Sequence, residues 1–360
     1  MKRILTIAAL ALFAVYYPLS TVTAQTQTGA YIPGTAHEGA VYFLPKTAIR
    51  VTIQIEKSTY TPGDFAPYAE RFLRLNGVSL EPSTSYRLLS VSQTAVGIRD
   101  TTKAFNVKFS NKTSAINVAL ADDGVLLAVN AQPAETLLPP SFKAAPKPAP
   151  VNPRQLMNEE ILAAGSTAKM AELTAQEIYD IRDSRNQLIK GQADFMPKDG
   201  EQMKMMLSQM NQQDHALTSL FAGTTVRDTV EELFIVYPDK ELRKIPMFRF
   251  SKHFGLVDAD DLSGTPYYIY IDNLTQLPTG DAKQSAKKKE ENGLYYNVPG
   301  KLRSTITCGN DIVSKEEFPA AQFGNVELLS GDLFNKHYGT KLWLNPVSGG
   351  IEKLEAEQPK

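Results

Sequence analysis

Between residues 154 and 223 apolar side chains recur at the period of an α-helix, and on both sides of that block they alternate at the period of a β-strand. The two periods are not interchangeable, because each fixes which side chains share a face. One helical block between two strand-rich stretches leaves no repeated β-α-β units and none of the parallel sheets they build. The pattern predicts an α+β chain: two antiparallel β-rich, sandwich-like domains with a helical hairpin between them. A single large sandwich with the hairpin inserted is the alternative topology.

The first helix is expected from Ala168 to Lys190, with Met170, Leu173, Ile178, Ile181 and Leu188 on its apolar stripe. Gly191 and Pro197 fall in the connection. The second runs from Gly200 to Phe221, with Met203, Met206, Met210, Leu217 and Leu220 on a heptad seam, Leu207 and Phe221 beside it, and Gln213 interrupting it. This is the clearest periodicity in the chain and argues for an antiparallel pair. Met203, Met206, Met210 and Leu217 form a candidate interaction face. It could meet the other helix, a sheet or a partner.

The plainest strand is Arg50–Glu56, where Val51, Ile53 and Ile55 point one way and the polar residues the other. Val41–Leu44 is its expected partner. Thr61-Pro62-Gly63-Asp64 reads as a turn, with Asp64 capping a short helix from Phe65 to Leu75. Tyr86–Ile98 and Lys103–Phe109 read as a strand pair around Arg99–Thr102. Ala115–Leu120 and Val125–Val129 flank a hairpin turn at Asp122-Asp123-Gly124. Leu233–Tyr237 is continuously apolar, as a central strand covered on both faces would be. Met247–Phe250, Tyr267–Asp272, Leu302–Cys308 and Lys341–Asn345 alternate, and residues 280–292 read as a solvated loop. Seven prolines crowd residues 132–153, which marks a linker. The expected divisions are a β-rich domain over 39–131, the linker 132–153, the helical hairpin 154–223 and a second β-rich domain over 224–360.

Lys2 and Arg3 open the chain, Ile4–Tyr17 is uncharged and apolar, Pro18 breaks the run, and Val22-Thr23-Ala24 supplies small residues. This is the three-part layout of a secretory signal peptide over residues 1–24. The run is too short to span a bilayer, which takes about 20 apolar residues. Cleavage would expose Gln25, followed by a small, polar, disordered stretch to residue 38. No second long apolar run follows, so the mature chain is expected to have no transmembrane segment. Cys308 is the one cysteine, which rules out an intramolecular disulfide. No cysteine follows the leader to carry a lipid. The expected address is the periplasm or cell envelope, in non-lipidated form. The net charge of −1 lacks the basic footprint of a nucleic-acid binder.

Tyr42-Phe-Leu-Pro-Lys-Thr47, Tyr60-Thr-Pro-Gly-Asp-Phe65 and Tyr68-Ala-Glu-Arg-Phe72 together resemble an uncharacterised family of exported Bacteroidetes envelope proteins, a domain of unknown function. The resemblance covers most of the mature chain and implies a Gram-negative envelope setting. It assigns no activity and no functional residue.

Ser166-Thr-Ala-Lys169 has the spacing of a serine nucleophile and its lysine, but no Lys-Thr-Gly or Ser-x-Asn element follows, so Ser166 reads as a helix cap. The four histidines, His37, His215, His253 and His337, share no metal-ligand spacing. Asp258, Asp260 and Asp261 precede Ser263-Gly264 in a turn that lacks the rest of a calcium loop. Cys308 keeps phase with Leu302, Ser304 and Ile306 and reads as a small core residue. The ligand-like signal is aromatic. Tyr268 and Tyr270 share the polar face of their strand with Asp272, and Trp343 stands beside Lys341 and Asn345; such rings stack on sugars or anchor proteins. Asp228-Thr229-Val230 matches a short O-glycosylation sequon, making Thr229 a candidate for modification.

No catalytic residue, metal ligand or cofactor is expected. The sequence therefore favours a non-enzymatic exported protein that binds other envelope proteins. The alternatives are a carbohydrate-binding module around Trp343, Tyr268 and Tyr270, and a hydrolase whose carboxylates converge from distant positions.

Overall fold

The computed structural model describes residues 27–31, 39–108, 117–133, 142–144, 151–197, 199–275, 293–334 and 339–357. The expected leader, most of the Pro-rich stretch, the loop 280–292, His37 and His337 lie outside these residues.

Among the described residues antiparallel strands dominate, in three sheets. The first joins, in spatial order, Gln27–Ala30 (β1), Ser83–Lys108 (β3), Ala40–Thr61 (β2) and Thr224–Val236 (β6). The second joins Asp311–Ser330 (β11), Gly293–Cys308 (β10), Thr265–Asn273 (β9), Leu242–Ser251 (β7) and Gly255–Val257 (β8). The third joins Ile351–Glu357 (β13), Gly339–Leu344 (β12), Leu126–Val129 (β5) and Val118–Leu120 (β4). The helices are Ala69–Leu73 (α1), Glu159–Leu162 (α2), Thr167–Lys190 (α3) and Gly200–Ala222 (α4).

Two ladders cross the expected division between 39–131 and 224–360. β6 pairs with β2 along its whole length, and β12 pairs with β5. Alternation tells which face a residue occupies and says nothing of which strand lies alongside.

The largest core lies between the first and second sheets. Ile49, Val51, Ile53 and Ile55 of β2 meet Phe248, Tyr267, Ile269, Ile271, Leu302 and Ile306. Full burial of each such aliphatic side chain contributes about 1.5–3 kcal/mol. The face expected for Val51, Ile53 and Ile55 is the face observed, and Cys308 packs partly buried at the margin of this core. A second core holds Tyr42, Leu44, Val107, Leu294, Phe334 and Leu342. A third belongs to the helices and includes Phe65, Leu73, Ile178, Leu217 and Phe221.

Several local expectations need correction. Val41–Leu44 and Arg50–Glu56 are parts of one strand, β2. The two stretches around Arg99–Thr102 are likewise one strand, β3, because that segment is a bulge. Phe43 faces Ala104 and Pro45 faces Arg99, so residues 100–103 have no β2 partner. Pro45 has no N–H to give the ladder, which favours irregular pairing there. Residues 25–38 are not disordered throughout: Gln27–Ala30 pair with Phe105–Lys108. The short helix after Thr61 is a 3₁₀ turn, Ala66–Tyr68, followed by α1, and Asp64 pairs with Arg154 instead of capping it. Leu233–Tyr237 does not form a central strand, because β6 is the edge of its sheet. Phe234 and Val236 pack on the core, whereas Leu233, Ile235 and Tyr237 are 50–53% exposed.

Candidate interaction surface

The helical pair starts and stops where its sequence dictates. Ser166 Oγ accepts from Lys169 N–H at the start of α3, and Asp199 Oδ1 accepts from Gln202 N–H at the start of α4. Gly191 ends α3 in the left-handed conformation at φ 70°, which glycine adopts without strain. The Ser-x-x-Lys motif is thus a cap, and Lys169 pairs with Glu172.

A partly buried polar clasp joins the two helices. Arg182 Nε donates to both carboxylate oxygens of Asp214 at 3.0 and 3.2 Å, and its Nη2 donates to Thr218 Oγ1 at 3.1 Å. Arg185 Nη1 donates to Asn211 Oδ1 at 2.8 Å and to Asp214 Oδ2 at 3.3 Å. Partial burial pushes the Asp214 carboxyl up. The hydrogen bonds from Arg182 and Thr218, with the two guanidinium charges, outweigh it and hold the carboxyl below its ordinary value. These pairings place rising numbers on α3 against falling numbers on α4, so the helices run antiparallel.

The seam of α4 is buried unevenly. Leu217, Leu220 and Phe221 are in the helical core with Phe65 and Ile178. Met203, Met206 and Met210 are half-buried. At the far end, Ile189 is 60%, Phe195 61%, Met196 43% and Met205 68% exposed. Leu217 is therefore core and no part of an interaction face. The three methionines border an apolar tip to which Ile189, Phe195, Met196 and Met205 belong. Periodicity did not single out these four, because they lie off the seam or in the connection.

The aromatic candidates are not brought together. Tyr268 and Tyr270 lie on β9 of the second sheet, Trp343 on β12 of the third. Tyr267, Ile269 and Ile271 fill the core, which leaves Tyr268 and Tyr270 half-buried on the other face, with Lys244 Nζ 5.3 Å from the Tyr268 ring centre. Trp343 Nε1 donates to the carbonyl of Gln132 at 2.9 Å, and Lys353 Nζ lies 5.0 Å from its ring centre. Its polar handle and one face already have partners. Thr229 is half-buried on β6, opposite Glu56.

Two of the clefts among the described residues bring several polar groups together. One, of about 530 Å³, is lined by Asn297, Asn345, Ser348 and Glu352. Its buried Asn297 donates from Nδ2 to the carbonyls of Pro45 at 2.9 Å and Ser348 at 3.0 Å, so this amide fastens chain segments together. The other, of about 710 Å³, is lined by Ser251, His253, Tyr267 and Cys308. Burial and the contact with Cys308 push the Tyr267 phenol up to about 12, so it stays protonated at neutral pH. Ser251 Oγ accepts from the N–H groups of His253 and Phe254. Neither cleft holds the two carboxylates that glycoside hydrolysis uses. Among the described residues no group of three His, Cys, Asp or Glu side chains is placed to hold a metal ion. Asp261 Oδ1 accepts from Ser263 N–H, as a turn residue does. No helix among them is long and apolar enough to cross a membrane.

The described residues define a class: a mostly antiparallel β protein with few helices, in which the end of α3, the start of α4 and their connection expose apolar side chains. Residues 38–352 match the family described as Domain of unknown function (DUF4831), and the chain belongs to that family. No curated protein and no solved structure matches it.

Proposed function

We propose that this is an exported, non-lipidated protein of the Bacteroidetes cell envelope that acts by binding another protein, without catalysis of its own. The first and second sheets serve as the faces of a sandwich-like body, and α3 and α4 project from it as a helical hairpin. The observation that carries the reading is the apolar tip of that hairpin, where Ile189, Phe195, Met196 and Met205 are 43–68% exposed. Methionine and aromatic side chains adapt to varied apolar partners and anchor interfaces. The basic, apolar and small-residue layout of residues 1–24 supports export. The glycan alternative has less support, since Trp343 is occupied by Gln132 and Lys353.

The test is affinity purification from native envelopes with wild-type protein and with a Phe195→Asp, Met205→Asp variant. The reading expects an envelope protein retained by the wild type and lost with the variant. Equal retention by both, with the variant melting normally, contradicts it.

A further inference from the structure

We propose that β6 pairs antiparallel with β6 of a second copy of this chain, about a two-fold axis through Thr229, joining two four-stranded sheets into one. β6 is the edge of its sheet, and from Thr224 to Val236 it follows β2 with no shift of register and no proline. A long, regular edge offers a row of backbone donors and acceptors to another strand. Four apolar side chains along it are 42–51% exposed: Val226 and Val230 on the core-side face, Leu233 and Ile235 on the outer face.

The charges on β6 select the register. Opposed residues in an antiparallel pair point to the same face, so a two-fold axis normal to the sheet must pass through a residue. Centring it on Arg227, Asp228, Glu231 or Glu232 opposes that residue to itself, charge on like charge. Centring it on Val230 opposes Asp228 to Glu232 twice. Centring it on Thr229 opposes Arg227 to Glu231 twice and sets Leu233 against Thr225. Charges on an edge strand usually keep other strands away. Here they bar the neighbouring registers and favour one. Glu231 is 4.0 Å from Arg50 on its own sheet, its side chain is 15% exposed, and β6, which carries it, is the edge strand. A strand pair of this length is small for an interface, so association in the micromolar range is expected.

Sedimentation of the mature chain from about 1 to 100 μM tests this. A dimer is expected. R227E, which leaves Arg50 and Glu231 in place, should raise its dissociation constant about tenfold or more, since two attractive pairs become repulsive. The double swap R227E/E231R should restore it to within about threefold of wild type. In a C308A background, T229C should form a disulfide-linked dimer on mild oxidation, and I312C, exposed on another sheet, should not. A monomer throughout the range overturns the proposal. So does a dimer that R227E leaves unchanged, or a folded double swap no tighter than R227E. Should the double swap fail to fold, the T229C cross-link decides: linkage supports the proposal and its absence overturns it.

Discussion

The buried hydroxyl of Tyr42 donates to the carbonyl of Tyr295 at 3.2 Å and accepts from the Tyr295 N–H at 2.9 Å. Tyr42 lies on β2, before the helices, and Tyr295 on β10, after them. One side chain thus fastens the first sheet to the second. Tyr42→Phe should leave both backbone groups without this partner and cost about 1–3 kcal/mol in denaturant unfolding. Burial pushes the Tyr42 phenol well above its ordinary 10.0, and the hydrogen bond with Tyr295 recovers only part of that. The group is held neutral in the folded state and ionises first in the unfolded chain. Its contribution is full below about pH 10 and is lost as pH rises toward the folded value. The variant should therefore show a shallower alkaline decline than wild type. An identical decline would exclude Tyr42 as a source of it.

Asp214 holds the helical pair through Arg182 and Arg185. Its carboxyl is held below the ordinary value of 3.8, so its contribution is present above that pH and is lost as pH falls toward the folded value. Asp214→Ala should cost about 1–3 kcal/mol, removing the carboxylate that both guanidinium groups share and leaving them only Thr218 and Asn211. Amide exchange should accelerate in α3 and α4 more than in β10. Uniform acceleration would mean that the clasp does not act locally.

Gly63 sets where the helical pair joins β2. A Cβ built there would lie 2.2 Å from the carbonyl oxygen of Leu220, a backbone atom on α4, and the neighbouring Phe65 N–H donates to that same oxygen at 2.7 Å. Gly63→Ala should push α4 off the end of β2 at a cost of about 1–3 kcal/mol. Circular dichroism should keep the strand signal while the helical transition melts earlier. An unchanged melt would show that the junction tolerates the methyl group.

The expected leader ends at Ala24, and β1 begins at Gln27. A chain starting at Gln25 should keep the full melting temperature. A chain starting at Gly39 loses β1 and its ladder to β3, at a cost on the order of 1–2 kcal/mol. Equal stability of the two would show that β1 adds nothing to the sheet.

What the residues made legible was local. Helices α3 and α4 were readable to within a residue or two because their period repeats over many turns and Ser166, Asp199 and Gly191 punctuate them. The inward face of Arg50–Glu56 was readable from four polar and three apolar side chains in strict alternation. Arg99–Thr102 reads as the break between two strands, and in the structure Asp100 does make turn-like bonds, accepting from Thr102 N–H at 3.0 Å and from its hydroxyl at 2.6 Å. Those bonds sit in a bulge of an unbroken strand. Leu233–Tyr237 looked covered on both faces because its residues are all apolar. The charges just before it, Arg227, Asp228, Glu231 and Glu232, were the signal of an edge. The apolar tip was invisible because an exposed Phe195 or Met205 has no periodic signature. Which distant strands pair follows from packing the sheets together, and no local pattern records it.

The apolar tip is tested most directly by placing a photo-cross-linking residue at Phe195 in the full chain and irradiating native envelopes, with the same residue at exposed Lys315 on β11 as control. Binding through the tip predicts one discrete adduct from Phe195 that the Lys315 position does not give. No adduct from Phe195, or the same adducts from both positions, would contradict it.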